Sequence, residues 1–340
     1  MSQPLLTINK ASPPLQSFQS QSSFAQKILN FTFQLAQNPQ STQPTTFSGT
    51  NSNLLSVSGL RARCRFTFAK APTSTLAEMS IYGLPQSVIN QLTTTATVID
   101  KVNKNSVIVS AGVSSTGSAA AASAVSAPPG GFPVVFGGTI WFSVGDYNQM
   151  PDVPLKISAQ SGLFNAMQSA APASFTGQTD VATAMQSIAS KLGLAFENNN
   201  VSAKLSNPYY RGTLMEQVYR MAEDVHINAE LVDGGTKLAI WPRPGSRTSI
   251  TNIPLISPET GMIGYPLFSQ NGYLIVKMIY NPDVVFGGSI QVKSSIPQAN
   301  QTWVVRKVDL SLDTLSPDGD WMGTAYCQPI NVPQAPPPAT

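Results

Sequence analysis

Alternation of apolar and polar residues, repeated along most of the chain, is the feature that most restricts its fold. In the segment 60–70, Arg61, Arg63 and Arg65 share one face, and small, thiol and aromatic residues share the other. Successive side chains of a strand point to opposite sides, so this pattern predicts a half-buried β-strand. Similar segments lie at 28–35, 77–82, 107–109, 134–142, 154–159, 273–279, 289–292, 302–312 and 321–327. The chain is therefore predicted to be mainly β.

Composition narrows the class further. Only 11% of the 340 residues are charged and the net charge is +3, too small for a dedicated nucleic-acid binder. The 27 prolines and 24 glycines, with few strong helix formers, argue against a helical bundle. Charged residues are depleted where protein surfaces are buried against each other, so this composition suits a β protein that meets other subunits.

The region 176–242 has a different pattern. Apolar residues recur at helical spacing in two segments that begin at Val181 and at Leu214, and a strand-like segment follows each. Thr179 or Asp180 is expected to cap the first helix, and Gly193 to end it. Asp-Gly-Gly at 233–235 predicts a hairpin turn, with a returning strand over 237–241. We therefore expect a small α/β module of two helix–strand repeats inserted into the β framework.

A second repeat has a longer period. Val-Val-Phe-Gly-Gly-Thr-Ile at 134–140 returns as Val-Val-Phe-Gly-Gly-Ser-Ile at 284–290. The echo suggests two related β domains, although chance similarity of two glycine-containing hairpin segments is a real alternative. We interpret both glycine pairs as turn glycines rather than as phosphate cradles.

The sequence contains few residues that could act as catalytic or metal-binding groups. His226, the single histidine, lies at the helix-to-strand corner of the second repeat, where Gly193 lies in the first, and we expect a capping or surface role for it. Cys64 and Cys327 are expected to be buried reduced thiols. No nucleophile elbow, P-loop, dinucleotide fingerprint or zinc spacing is present, so we predict no catalytic, cofactor or metal residues. A hydrolase that uses His226 and a carboxylate stays an alternative. The candidate carboxylates are Glu78, Asp100, Glu197, Glu216, Glu223, Asp224, Glu230 and Asp233.

A second alternative is a carbohydrate-binding or adhesin-type β protein. Its stacking platforms would be Trp141, Trp241, Trp303 and Trp321, although their place in strand patterns favours packing. We expect no signal peptide, no membrane-spanning helix and a reducing cytoplasm during synthesis.

The arginine face of the segment 60–70 is the sharpest surface feature. Arg61, Arg63 and Arg65 form a candidate lumen or subunit-interface site, either opposite acidic groups of a neighbouring subunit or along a channel through which DNA passes. An ordinary solvated strand face is the alternative, and three arginines are too few for independent DNA binding.

An ordered series of motifs runs through the second half. It comprises Gly-Met-Ile-Gly-Tyr-Pro at 261–266, Tyr-Leu-Ile-Val-Lys-Met-Ile-Tyr-Asn-Pro at 273–282, Gly-Gly-Ser-Ile-Gln-Val-Lys-Ser at 287–294, Trp-Val-Val-Arg-Lys-Val-Asp-Leu-Ser-Leu at 303–312, Ser-Pro-Asp-Gly-Asp-Trp at 316–321 and Ala-Tyr-Cys at 325–327. The series resembles baseplate hub proteins of contractile-tailed bacteriophages. The segments 76–84, 136–140 and 155–162 resemble the first barrel of that family, and 175–199 its inserted module. The polar arm and the Ala/Ser-rich loop 114–131 are not part of the pattern.

The resemblance implies a structural virion protein, not an enzyme. Each chain would carry two tail-tube-like β-barrels, so that a homotrimer presents six barrels in a ring and adapts the six-fold tail tube to the three-fold central spike. The hub of the type VI secretion spike is similar. Implied partners are the central spike, the tail tube or tube-initiator protein, the tape measure protein and other baseplate (wedge) proteins. DNA would contact the protein only in transit through the lumen, and no cofactor or membrane insertion is implied.

Five regions follow from these observations. We predict an extended N-terminal arm (1–24), a first tube-like barrel domain (25–172), the inserted α/β domain (173–247), a second tube-like barrel domain (248–332) and a Pro-rich C-terminal tail (333–340). The expected location is the tail baseplate of the virion, after assembly in the host bacterial cytoplasm.

Overall fold

The computed structural model describes residues 26–36, 46–70, 75–94, 105–114, 131–163 and 170–330. The predicted arm and tail, nearly all of the Ala/Ser-rich loop, and the candidate carboxylate Asp100 lie outside these residues. Within them, no helix is both long and apolar enough to span a bilayer.

Seven strands and one helix form the part of the fold that precedes the inserted module. They are β1 (Gln26–Gln34), β2 (Leu54–Ser58), β3 (Ala62–Ala69), β4 (Leu76–Tyr82), α1 (Gln86–Leu92), β5 (Ser106–Ser114), β6 (Val134–Gly145) and β7 (Pro154–Gln160). Six of the seven strands were predicted from alternation. β2 was missed, because its exposed face is a short serine-rich stretch that resembles the polar loop before it.

The strands after the module are β15 (Leu255–Ile256), β16 (Leu267–Phe268), β17 (Leu274–Ile279), β18 (Ser289–Val292), β19 (Thr302–Thr314) and β20 (Trp321–Pro329). The four longer ones were predicted. The two-residue strands β15 and β16 are too short for alternation to reveal them. Short 3-10 helices occupy Tyr147–Gln149, Pro258–Thr260 and Pro297–Ala299.

For convenience we call the strands before the module the first half and those after it the second half. The two halves share one hydrogen-bonded sheet, in the order β16-β17-β20-β19-β3-β4-β7-β6-β5-β1-β2, with β18 beside β19 and β15 beside β18. The junction is the antiparallel pair β19–β3, whose register places Asp309 opposite Thr67 and Asp313 opposite Arg63. The buried faces of both halves belong to one continuous apolar cluster. The mainly β class is confirmed, and the division into two separate barrels stays a prediction.

The inserted module has its own apolar core, built from both of its helices and its sheet. Its elements are β8 (Ala173–Ser174), β9 (Gln178–Asp180), α2 (Val181–Lys191), β10 (Ala195–Asn198), β11 (Lys204–Ser206), β12 (Tyr209–Tyr210), α3 (Leu214–Asp224), β13 (Ile227–Val232) and β14 (Lys237–Pro242). β14 lies between β10, to which it is parallel, and β13, to which it is antiparallel. Both predicted helix–strand repeats are confirmed.

Local chemistry explains where the module helices begin and end. Asp180 caps α2 by accepting a hydrogen bond from the Thr183 amide, and Thr213 forms a capping box with Glu216 at the start of α3. Gly193 and His226, at equivalent corners after the two helices, both have left-handed backbone (φ 69° and 54°). The equivalence of these two corners was predicted.

The glycine pairs of the 150-residue echo differ in structure. Gly287 has φ of 77° in the turn before β18, as predicted for a turn glycine. Gly137 and Gly138 instead lie inside β6, so the interpretation of that pair as a turn was wrong. Space is the physical reason for glycine there, because a Cβ on Gly137 would lie 2.3 Å from the carbonyl oxygen of Gly234 in the module.

Candidate assembly surface

The predicted arginine face of β3 lies near the middle of the large sheet, between β4 and β19. Ala62, Cys64 and Phe66 point into the core, while Arg63 and Arg65 are exposed and Arg61 is partly exposed. The alternation inferred from the sequence is therefore present, and the structure then distinguishes the three arginines by their partners.

Arg65 joins the two halves of the sheet. Its Nη1 donates to Oδ1 of Asp313 at 2.6 Å, and its Nη2 lies 3.6 Å from Oδ2 of Asp320. Hydrogen bonding to the buried Asp313 side chain raises the pKa of Arg65 above its usual value. The acidic partner of this arginine thus comes from the same chain, across the β3–β19 junction.

Arg61 is also engaged within its own chain. Its Nη1 donates to Oδ2 of Asp152 at 3.0 Å, and its guanidinium carbon lies 3.9 Å from the centroid of the Tyr82 ring. Arg63 is exposed between these two arginines and has no side-chain hydrogen bond or ion pair to any residue that the structure describes. Of the predicted stripe, Arg63 presents its charge most openly.

The outward side of the neighbouring strands is polar but nearly neutral. Lys156 on β7 pairs with Asp146 at 2.7 Å, and Lys307 on β19 pairs with Asp309 at 2.8 Å. Thr67 donates to Oδ1 of Asp309 at 3.0 Å. We call this outward side of β17, β20, β19, β3, β4 and β7 the polar face. Its lysines and arginines are mostly compensated by carboxylates of the same chain.

Exposed apolar side chains cluster where the sheet ends at β16. They are between 38 and 69% exposed, and we call them the end patch: Ile263, Tyr265, Leu267, Phe268 and Ile279. β16 hydrogen-bonds to β17 on one side only, so an edge with unused backbone groups adjoins the patch. Apolar edges of this kind mark contact surfaces in folded proteins. The end patch was not identified from the sequence, although the apolar run 262–268 carried the signal.

Two of the carboxylates proposed for the hydrolase alternative, Glu197 and Glu223, are held in ion pairs with arginines. Burial would raise the pKa of Glu197, but hydrogen bonds from Arg247, Ser249 and Asn199 outweigh it and lower that pKa to about 2. Hydrogen bonds from Arg243 likewise lower the pKa of Glu223 to about 2. Carboxylates held ionised in this way are unsuited to act as general acids.

The remaining predicted groups fit structural roles. Glu216 caps α3, Asp224 accepts a 2.5 Å hydrogen bond from Tyr210, and Asp233 pairs with Lys237. Glu78 is exposed on β4, and Glu230 is buried in β13. His226 is exposed.

The thiols and tryptophans are mostly internal. Cys64 and Cys327 are fully buried free thiols whose pKa values are raised by burial. No cluster of potential metal ligands occurs among the described residues. Trp241, Trp303 and Trp321 are buried, which removes three of the four stacking platforms; Trp141 alone is half exposed.

Comparison with known structures supports the fold. A tail protein from Neisseria meningitidis MC58 superimposes with a TM-score of 0.55 at 8% identity, covering 88% of this chain and 96% of that chain. The 43 kDa tail protein of prophage MuSo2 from Shewanella oneidensis gives 0.56 at 9% identity, covering 89% and 98%.

A type VI secretion component from E. coli, described as similar to the T4 tail proteins gp27 and gp5, gives 0.52 at 10% identity, covering 83% of this chain and 75% of that one. No curated protein sequence matches the chain.

The sequence itself matches a family model described as baseplate hub gp41 over residues 43–327, which includes the polar face, the module and the end patch. The chain therefore belongs to the baseplate hub gp41 family, a family of structural phage tail proteins rather than enzymes.

Proposed function

We propose that three copies of this chain form a ring in the baseplate, with the polar face turned towards a central channel and the end patch buried against the next copy. The ring would adapt a six-fold tail tube to a three-fold central spike. The observation that carries this proposal is a single sheet that spans both halves of the chain and ends in an exposed apolar edge.

The polar face suits a channel wall because its charges are largely neutralised. A protein binds DNA when its lysine and arginine side chains displace counterions from the DNA phosphates. Unpaired cationic side chains along a channel would therefore retard the passage of DNA. Arg61, Arg65 and Lys307 already have carboxylate partners within the chain. A wall of hydroxyl groups and paired charges would let the tape measure protein and then DNA slide past.

The end patch suits contact with a second copy because it is apolar and uncharged. Tyr265, Leu267 and Phe268 are each more than half exposed, and aromatic residues of this kind are enriched at the centres of subunit interfaces. Burial in a ring would remove both the apolar surface and the open edge of β16. Obligate interfaces bury on the order of 2,000 Å² or more, which a long sheet edge can supply.

The ring would contact the central spike on one side and the tail tube or its initiator on the other, and baseplate wedge proteins around its rim. This arrangement makes the chain a virion component assembled in the host bacterial cytoplasm. The family assignment and the fold shared with tail proteins support these partners.

Native mass spectrometry of the purified chain tests the ring. We expect a trimer for the unaltered protein and a folded monomer for the double variant Tyr265→Ser, Phe268→Ser. The matched control is Met150→Ser, which removes an exposed apolar side chain of the 147–150 turn, away from the end patch. A monomeric unaltered protein at micromolar concentration would contradict the trimer, and a trimeric double variant would contradict the role of the end patch.

A further inference from the structure

The hairpin of β13 and β14 lies between the two halves of the sheet. Its turn, Asp233 to Gly235, contacts β6 of the first half. The other end of β14 carries Trp241, which packs edge-on against Phe286 of the second half, with ring centroids 6.0 Å apart. The module therefore has direct contacts with both halves, in addition to its own separate core.

Both copies of the echoed Val-Val-Phe-Gly-Gly segment supply these contacts. A Cβ on Gly137, in the first copy, would lie 2.3 Å from the carbonyl oxygen of Gly234. A Cβ on Gly287, in the second copy, would lie 2.9 Å from Cζ2 of Trp241. Each glycine thus lets the hairpin approach as closely as backbone and ring atoms allow, one on each side.

Polar contacts hold the hairpin to the second half. The Arg247 amide donates to the Gly287 carbonyl at 2.8 Å, while its guanidinium pairs with Glu197 and lies 3.7 Å from Asp233. Arg306 on β19 donates to the Gly245 carbonyl at 3.1 Å. These bonds tie the linker after β14, the hairpin turn and β19 into one unit.

A cavity of about 120 Å³ lies beneath the hairpin, between the two Val-Val-Phe segments. The space under the hairpin is therefore not filled by continuous packing. Close contacts flank this space on both sides, at Gly137 and at Gly287.

Strand pairing alone does not set the angle between the halves. They are joined directly by the β19–β3 ladder, and the twist between adjacent strands varies from about 10 to 35° among sheets. A closed ring needs the same angle at every junction, because otherwise a head-to-tail contact produces open assemblies.

We infer that the β13–β14 hairpin is a wedge that fixes the angle between the two halves, and through it the curvature of the ring. This role rests on the proposed ring. It gives the inserted module an internal function: Gly137 and Gly234 are positioning residues at one side of the wedge, and Gly287 and Trp241 are positioning residues at the other.

Gly137→Val tests the wedge, because the backbone of Gly137 is not in the left-handed region that favours glycine. A side chain at this position is therefore excluded by lack of space and not by backbone strain. Overpacking one close contact changes an equilibrium constant by roughly tenfold, so we expect the association constant of the trimer to fall by at least about that factor while the fold is kept. Circular dichroism and the thermal midpoint report the fold, and native mass spectrometry reports the trimer.

The control is Thr139→Val, which places the same residue type two residues further along β6 without adding volume, and which should leave the trimer unchanged. A folded Gly137→Val protein with the trimer fraction of the unaltered protein would overturn the wedge. If Gly137→Val does not fold, Gly137→Ala is measured in the same way. A folded Gly137→Ala protein with the trimer fraction of the unaltered protein would then overturn the wedge.

Failure of the ring is distinguishable from failure of the wedge. If the unaltered chain is monomeric, small-angle scattering compares the shape of the monomer with that of the folded Gly137→Val variant. A changed distance distribution would support the wedge without the ring, and an identical one would overturn it.

Discussion

Replacing Glu197 by glutamine is the sharpest test of how the module is held to the second half. Both carboxylate oxygens of Glu197 accept hydrogen bonds from Arg247, at 2.9 Å each. The side chains are 12 and 5% exposed, so the pair is shielded from water. Glu197→Gln keeps the size and one acceptor but leaves the arginine charge without its closest partner.

The magnitude follows from the pKa of Glu197, which falls from 4.5 to about 2. One pKa unit corresponds to about 1.4 kcal/mol, so the whole shift would contribute about 3 kcal/mol to the free energy of unfolding. Because both side chains keep some exposure to solvent, water screens part of this contribution. We therefore expect Glu197→Gln to lower the free energy of unfolding by about 2 kcal/mol.

The matched control is Glu223→Gln. Glu223 makes an equally close bidentate pair with Arg243 and has a similarly lowered pKa, but its side chain is 60% exposed. Exposed pairs contribute less than about 1 kcal/mol, so this variant should lose less than half as much stability.

Urea unfolding at several pH values measures both variants. A carboxylate whose pKa is depressed in the folded state stabilises above its unfolded pKa and loses that contribution as pH falls towards the folded value. The unaltered protein should therefore lose the Glu197 contribution between about pH 4.5 and pH 2, so the difference from Glu197→Gln should shrink there. Equal losses for both variants at pH 7, or a difference that does not depend on pH, would refute this reasoning.

Three further predictions concern single sites. His226→Gly should stabilise the protein by a few tenths to about 1 kcal/mol in urea unfolding, because glycine adopts the left-handed backbone of this corner without strain. Gly193→Ala at the equivalent corner should destabilise the protein for the same reason. Changes of the same sign in the two variants would contradict this. Cys64 and Cys327 should resist a thiol reagent at pH 8 in the native protein and react fully in urea, because both are buried with raised pKa values; rapid native labelling would contradict their burial. Arg63→Gln should leave unfolding free energy within about 0.5 kcal/mol and the trimer fraction unchanged in mass spectrometry; loss of the trimer would place Arg63 at a subunit interface instead of the channel.

Local patterns predicted most of the secondary structure. Alternation located the longer strands, and the start of α2 was placed at Thr179 or Asp180, of which Asp180 is the cap. The matched corners at Gly193 and His226 followed from counting along two similar repeats. Such features depend on neighbouring residues, whose interactions are the same wherever the segment lies in the fold.

Neighbours across the sheet could not be predicted in this way. Alternation placed Arg61, Arg63 and Arg65 on one face, yet it could not show that Arg65 meets Asp313, 248 residues away. It also could not separate Arg65, which joins two strands, from Arg63, whose charge has no partner among the described residues. A strand pattern defines its two faces but not which strand lies beside it.

The echoed glycine segments show the same division. Their similarity could be seen in the sequence, as could the low charge and the lack of catalytic motifs. Only the tertiary structure decided between the strand and the turn that the sequence suggested for Gly137, and only it showed that Gly137 and Gly287 contact the same hairpin. The sequence by itself determined the β framework and its inserted module, because backbone geometry and side-chain period act over a few residues. The folded chain decided the shared sheet, the exposure of the end patch and the contacts of the β13–β14 hairpin, because they depend on where segments far apart in sequence lie.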